Sequence, residues 1–170
     1  MIIRRCTTAD TELVAKIGKE TYYHTYHHLN TLAIMNAYLE HAFNHDTIRS
    51  ELEDESSQTF ILTIDGKRAA FLKINFFPSQ TDLNEEEGME LQRIYVLEEF
   101  KRKGLGRTLV EYTLGLGRDH KCAYIWLSAW KKNPSAISFY EKMGFYKAGT
   151  RQFKMGEELQ SDYILKKELP

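Results

Sequence analysis

Three prolines and two cysteines in 170 residues already remove several kinds of protein from consideration. So little proline excludes a collagen-like or polyproline chain. Cys6 and Cys122 form neither a disulfide framework nor a metal-binding spacing, and Cys122 lies in an apolar stretch where a buried thiol is the ordinary reading. Uninterrupted apolar runs of membrane-spanning length are missing as well. The opening Met1-Ile2-Ile3-Arg4-Arg5 enters a strand-like segment rather than a signal-peptide core, so a cytoplasmic protein with no membrane partner is expected. Charge of one sign is also scarce. With 23 Lys+Arg against 24 Asp+Glu the formal net charge is −1, which lacks the broad basic field that nonspecific nucleic-acid binding needs, despite Lys101-Arg102-Lys103.

What is present suits one enzyme-sized domain over residues 1–170: 42% hydrophobic and 28% charged residues, with no internal repeat, low-complexity tract or linker. A first strand runs through Arg4, and Thr7-Thr8-Ala9-Asp10 leads into a helix near Thr11 with Leu13, Ile17 and Thr21 on one face. A second helix is expected from about Leu32 to Phe43, and a third, charged and surface-lying, from Thr47 to about Asp54. Asp65-Gly66 is the clearest hairpin signal, between strands at Thr59 to Ile64 and Ala69 to Phe77, with Lys67 and Arg68 leaving the turn length open. Further strands at 89–97, 122–130 and 145–155, and a last one through Tyr163-Ile164-Leu165, complete an α/β domain with a central mixed sheet.

The most informative stretch runs from Met89 to Arg107. Leu91, Arg93, Tyr95 and Leu97 alternate with Gln92, Ile94 and Val96 as in a strand, which then enters a basic turn containing Gly104 and Gly106. Glycines let backbone N–H groups approach an anion closely. Leu105, Leu109, Tyr112 and Leu116 follow at helical spacing, so the helix N-terminus is aimed at the same anion, with Lys101, Arg102, Lys103 and Arg107 at its rim. A Rossmann fingerprint fails because Leu109 occupies the third small position; a P-loop fails because Gly106-Arg107-Thr108 replaces Gly-Lys-Ser/Thr. The competing bland reading is an ordinary solvated basic loop.

A second segment adds to this. Residues 122–130 read as a buried strand, and Asn133-Pro134 then supplies an N-cap and a proline at the first helical position. The helix should end near Met143, with Gly144 in the left-handed position after it. Asn133 and Tyr140 are separated by almost two helical turns and share a face.

Together these segments resemble the GNAT N-acetyltransferases. The cofactor motif of that family, Gln/Arg-x-x-Gly-x-Gly/Ala, aligns on Lys101-Arg102-Lys103-Gly104-Leu105-Gly106, departing only at Lys101. Its second pattern, Asn-x-x-Ala-x-x-x-Tyr-x-x-x-Gly-Phe, is filled by Asn133, Ala136, Tyr140, Gly144 and Phe145. Glu20-Thr21-Tyr22, Thr25-Tyr26, Asn36 to Glu40, Ala42-Phe43-Asn44, Ile125-Trp126-Leu127, Trp130, Lys132-Asn133, Met155-Gly156 and Asp162 further look like PaiA-type bacterial polyamine acetyltransferases.

The resemblance implies a mostly antiparallel sheet flanked by helices, in which the strand of Ile94-Tyr95-Val96 splays from the strand of Trp126 and acetyl-CoA fills the wedge. Arg102, Lys103, Gly104, Leu105, Gly106 and Arg107 would surround its pyrophosphate. A backbone N–H near Ile94 or Val96 would polarise the thioester carbonyl. Asn133 would touch the cofactor and Tyr140 would lie near sulfur, against the plainer readings of an N-cap and a packed aromatic. Transfer is direct, so it needs no metal and no covalent enzyme intermediate.

An alkyl amine is mostly protonated at neutral pH and must lose a proton before attack. Glu90, just before the core of the cofactor strand, is the base candidate, acting through water. Glu85, Glu86 and Glu87 could draw in a polycation, but such a run is more often a solvated surface. Tyr22, Tyr26 and Trp130 are expected to shape the acceptor pocket, as the early helical region does in this family. His24, His27 and His28 fall at helical spacing without a carboxylate or cysteine to complete a metal motif, so they read as a polar, aromatic helix end. The expected activity is acetyl transfer to a small primary amine, with polyamines such as spermidine or spermine preferred. The alternatives are a noncatalytic acyl-CoA-binding regulator and acetylation of a protein or peptide amine. A homodimer is compatible with this reading.

Overall fold

A computed structural model describes residues 1–155 and 157–170; Gly156, one of the positions quoted for the narrower resemblance, lies outside them. The order is β1 (Ile2–Arg5), α1 (Thr11–Tyr26), α2 (Leu32–Ala42), α3 (His45–Glu53), β2 (Ser57–Ile64), β3 (Lys67–Asn75), β4 (Gly88–Val96), α4 (Leu105–Asp119), β5 (Tyr124–Trp130), α5 (Pro134–Lys142), β6 (Tyr146–Met155) and β7 (Glu158–Glu168). The strands form one sheet ordered β1-β2-β3-β4-β5-β7-β6. Among the described residues every neighbouring pair is antiparallel except β4–β5, so the mixed, mostly antiparallel sheet flanked by helices is found as expected.

Local chemistry sets the boundaries. Asp65 and Gly66 both have positive φ, 49° and 77°, and Ile64 pairs with Lys67, so the hairpin turn is two residues long and Lys67-Arg68 belong to β3. Asn44 Oδ1 accepts from Thr47 N at 2.8 Å, which starts α3 two residues earlier than the sequence suggested. That helix also corrects the expectation of a surface-lying element. Ile48 is fully buried and Glu51 turns inward, so α3 is held by packing rather than by propensity. Strand β5 begins at Tyr124, so Cys122 precedes it in a half-buried turn instead of sitting in the strand. Burial pushes the Cys122 thiol up, and pushes Cys6 up to about 12, consistent with unreactive thiols.

The sheet carries a different core on each face. Against α4 and α5 lie Phe60, Leu62, Leu72, Ile74, Met89, Leu91, Ile125, Leu127 and Leu165, packed with Leu109, Val110 and Tyr140. Against α1, α2 and α3 lie Ile61 and Phe71, packed with Val14, Ile17, Tyr22, Met35, Phe43 and Ile48. Burying side chains of this size stabilises the fold by about 1.5–3 kcal/mol each, far more than any surface ion pair here.

Strand β4 does not keep the strict alternation read from its sequence. Ile74 pairs with Leu91 but Lys73 pairs with Arg93, so Gln92 is an extra residue on β4, a β-bulge. The bulge flips the parity. Met89 and Leu91, and after it Ile94 and Val96, face α4, whereas Arg93 and Tyr95 turn toward the side of α1 and α3. The same strand parts from β5 early. Their parallel pairing is confined to Gly88–Tyr124, Met89–Ile125 and Glu90–Trp126, after which the strands splay as the resemblance implied.

Candidate functional site

Past Trp126 the facing edges of β4 and β5 bound a wedge. Residues 91–96 of β4 still pair with β3, and residues 127–130 of β5 still pair with β7, so each edge presents its outward backbone groups to the gap. Such edges suit an extended ligand that hydrogen-bonds as another strand does. The pantetheine arm of acetyl-CoA, with its two amides, is chemically of that kind.

At the open end of the wedge, α4 begins at Leu105. Arg102 and Gly104 occupy the left-handed region, with φ of 61° and 80°, which bends residues 101–104 tightly into the helix. No side chain caps the N-terminus of α4. Its first N–H groups, at Leu105, Gly106 and Arg107, are therefore available to a phosphate, supported by the helix dipole. A Cβ on Gly106 would touch only the Phe139 ring, at 3.4 Å. The basic rim is partly neutralised: Lys101 pairs with Glu98 at 2.6 Å and Arg107 with Glu111 at 3.1 Å, while Lys103 lies over the Phe100 ring. The residues fit a pyrophosphate held mainly by backbone, with Arg102 and Lys103 contributing charge.

Tyr140 comes from α5 into the core on the α4 side, against Phe139 and Phe145. Its hydroxyl has no protein hydrogen-bond partner among the described residues. Burial, and to a lesser degree the Tyr26 phenol, raises its pKa, so the phenol stays protonated and can donate. Asn133 is the N-cap of α5, with Oδ1 accepting from Ala136 N at 3.2 Å. Its side chain, with that of Tyr95, also offsets part of the rise that burial imposes on the Tyr26 phenol pKa. Asn133 therefore lies where α5 comes near the aromatic residues on the other side of the sheet.

That wall belongs to a cavity of about 320 Å³. Tyr22 is its centre: ring centroids of Tyr26, Tyr38 and Tyr95 lie 4.5, 4.4 and 5.8 Å away, and Tyr26 meets Trp130 at 6.2 Å. All three residues expected to shape an acceptor pocket, Tyr22, Tyr26 and Trp130, line it, as does Glu90. The side chain of Tyr95 lines it too, while those of Ile94 and Val96 pack toward α4. A donor-site role for Ile94, Tyr95 and Val96 rests on their backbone.

Glu90 is buried and strongly oriented. Its oxygens accept from Thr81 N and Asn75 Nδ2, each at 2.9 Å, and from the Thr81 hydroxyl. Gln80 locks this loop down, donating to the Gly88 carbonyl at 2.8 Å and accepting from Trp126 Nε1 at 2.8 Å. Glu85, Glu86 and Glu87 are all exposed; Glu85 also contacts the Tyr124 hydroxyl and lies 3.6 Å from Lys166. His27 stacks on Tyr23 and bonds its carbonyl, and no group of three His, Cys, Asp or Glu among the described residues is arranged to hold a metal.

Several cavity residues were not singled out from the sequence: Gln92, Arg93, Ser128, Arg151 and Gln160. Tyr38 and Asp162 appeared only as positions of likeness. Cross-strand register places Ser128, Trp130, Asp162 and Ile164 on one face of β5 and β7. Polar side chains at such inward strand positions were the available signal. Burial pushes the Asp162 carboxyl above the ordinary range, against the opposing pull of Arg151 and Lys131. Among the described residues, Asp162 Oδ1 and Ser128 Oγ are both closed to solvent without a hydrogen-bond partner.

Comparison with known proteins agrees with this geometry. The acetyltransferase (GNAT) family profile matches residues 18–145. An uncharacterized N-acetyltransferase of Lactobacillus delbrueckii subsp. lactis is 31% identical over 153 residues, covering 90% of this chain and 88% of that protein. Shorter matches include a spermine/spermidine N(1)-acetyltransferase of Bacillus subtilis, 29% identical over 58% of this chain and 64% of that protein. Another is a ribosomal protein bS18-alanine N-acetyltransferase of Escherichia coli, 34% identical over 59% of this chain and 62% of that protein. Among solved structures, the PaiA N-acetyltransferase of Thermoplasma acidophilum in complex with coenzyme A superposes with a TM-score of 0.80 over 98% of both chains, at 18% identity.

Proposed function

Because the chain belongs to the acetyltransferase (GNAT) family, we propose that it transfers acetyl from acetyl-CoA to a primary amine of a polyamine. One observation carries the choice of acceptor. The cavity beside the wedge holds two buried carboxylates, Glu90 and Asp162, among Tyr22, Tyr26, Tyr38, Tyr95 and Trp130. Carboxylates and aromatic faces both attract alkylammonium groups. Two cations line the cavity as well: Arg93, which shares the Glu51 carboxylate with Lys73, and Arg151, which lies 3.6 Å from Asp162, so the carboxylates meet an amine in a mixed-charge setting. The likeness to a spermine/spermidine acetyltransferase points the same way. The likeness to a ribosomal-protein acetyltransferase supports the competing reading, a protein amine.

Acetyl-CoA supplies the activated acyl group. The backbone of residues 94–96 and of β5 would hold its pantetheine arm. The N–H groups of Leu105, Gly106 and Arg107, with the Arg102 and Lys103 side chains, would hold its pyrophosphate. A β4 N–H facing the wedge stabilises negative charge as it develops on the carbonyl oxygen. Glu90, fixed by Thr81 and Asn75, takes the amine proton through water, and Tyr140 donates to the departing sulfur.

An acetyl-CoA consumption screen across spermidine, spermine, diamines, amino acids, aminoglycosides and peptides tests this assignment. Turnover of at least one polyamine is expected. Inert polyamines beside efficient acetylation of a peptide or other amine would replace the acceptor while leaving the acetyltransferase intact. Acetyl-CoA binding without turnover of any amine would favour a noncatalytic regulator.

A further inference from the structure

The two carboxylates of the cavity stand at different depths. Glu90 pairs with Trp126, the last position where β4 and β5 still touch, whereas Asp162 pairs with Trp130. Four residues of strand separate those positions, roughly 13 Å. Ser128 lies between them on the same face of β5, and Tyr22, Tyr26 and Trp130 wall the space.

Their bonding differs as much as their position. Glu90 is filled by donors from Thr81 and Asn75. Asp162 has Arg151 Nε 3.6 Å from Oδ2, while Oδ1 has no hydrogen-bond partner although the residue is 95% buried, its relative exposure being 5%. A buried carboxylate oxygen left unbonded loses the full value of a charge-assisted hydrogen bond, and the Oγ of Ser128, a diagonal neighbour of Asp162 across β5 and β7, is unbonded among the described residues as well. A small cationic donor satisfies both.

We propose that Asp162, with Ser128 beside it, receives the second ammonium group of a linear diamine or polyamine whose reacting amine lies at the Glu90 end. This assignment rests on the polyamine reading and adds that selectivity comes from the far end of the acceptor. The bound ammonium stays charged and takes no part in bond making. Arg151 and Lys131 temper the local negative charge, Arg151 from the side of Oδ2, and among the described residues Oδ1 stays without a hydrogen-bond partner.

The test compares spermidine and 1,4-diaminobutane with n-alkylamines of matched length in wild type and Asp162→Asn, alongside calorimetric titration with acetyl-CoA. Wild type should prefer the diamines in kcat/KM by on the order of 10²-fold, about the size of one charge-assisted contact. Asp162→Asn should erase that preference, mostly through KM, while kcat/KM for monoamines and the acetyl-CoA Kd stay within about threefold. If Asp162→Asn fails to fold, Ser128→Ala replaces it; losing only an unbonded hydroxyl, it should weaken diamines about five- to tenfold and spare monoamines. Equal losses on diamines and monoamines, or an undiminished diamine preference in the variant, would overturn the role of Asp162. Wild type inert toward every diamine would overturn the polyamine reading itself, and that result is seen before any variant is compared.

Discussion

Lys73 and Arg93 sit directly opposite each other on β3 and β4, two buried cations that share Glu51, which approaches from α3 at 2.9 and 2.7 Å. Burial and the Arg93 charge lower the Lys73 pKa from 10.5 to about 8. Burial by itself would raise the Glu51 carboxyl, but Arg93 and Lys73 outweigh it and hold it below its ordinary value. Removing the shared anion leaves two like charges uncompensated, so Glu51→Gln should cost about 3–5 kcal/mol. Lys73→Met leaves the Arg93–Glu51 pair intact and removes the like charge; it should cost less than half as much. Urea denaturation followed by circular dichroism gives both numbers, and equal losses would contradict this division.

Tyr140 offers a phenol with no hydrogen-bond partner among the described residues, kept protonated by burial. Tyr140→Phe should lower kcat by about 10–10³-fold with acetyl-CoA affinity nearly unchanged, the pattern of a group acting in the transition state. Single-turnover measurements belong beside the steady-state ones, since slow product release masks a chemical defect. Full single-turnover activity in a folded variant would leave Tyr140 a packing residue.

Gly106 distinguishes space from charge. A Cβ there meets only the Phe139 ring at 3.4 Å, so Gly106→Ala should fold normally. Gly106→Asp puts a negative side chain at the helix N-terminus, where the pyrophosphate would lie, and should weaken acetyl-CoA binding by at least about 10²-fold. Calorimetric titration of the two variants checks this; equal affinity would move the phosphate site elsewhere.

Asp10 makes a prediction about acid. Arg4 hydrogen-bonds its carboxylate at 2.7 and 2.9 Å and Thr7 N adds a third donor, so its pKa falls from 3.8 to about 2 against the effect of burial. A depressed folded-state pKa stabilises the protein fully above the unfolded value of 3.8, and that contribution fades as pH falls toward 2. Because Arg4 is half exposed, the effect is on the order of 1 kcal/mol. Asp10→Asn should destabilise at pH 6 by about that amount and converge with wild type near pH 2. Parallel stability curves across that range would count against the pair.

The proposed donor half of the site could be read from the sequence because the chemistry it rests on is local. Gly104 and Gly106 ahead of a periodic helix, and Asn133-Pro134 ahead of Tyr140, each carry their meaning within a few residues. The acceptor half is assembled from distant segments. Asp162 faces Trp130 only through strand register, and Glu90 owes its orientation to Thr81 and Asn75 on other segments. The bulge at Gln92 escaped notice because an inserted residue leaves the apolar pattern of Leu91, Ile94 and Val96 readable as ordinary alternation. Burial of α3 was hidden by its charges, since Glu51 looks like a surface residue until Lys73 and Arg93 are brought beneath it.

Only three ladder positions join β4 to β5, so the sheet consists of two half-sheets, β1 to β4 and β7 with β5 and β6, meeting at a narrow seam. A molecule that bonds both edges of the wedge completes the mechanical link between them. Donor binding should therefore raise the cooperativity of unfolding as well as the melting temperature, and slow amide exchange along both edges at once. An ordered reaction is the expected result: the cavity takes lining residues from both half-sheets, so the amine should bind after the donor has fixed the spacing between them, an order that initial-rate kinetics reads directly.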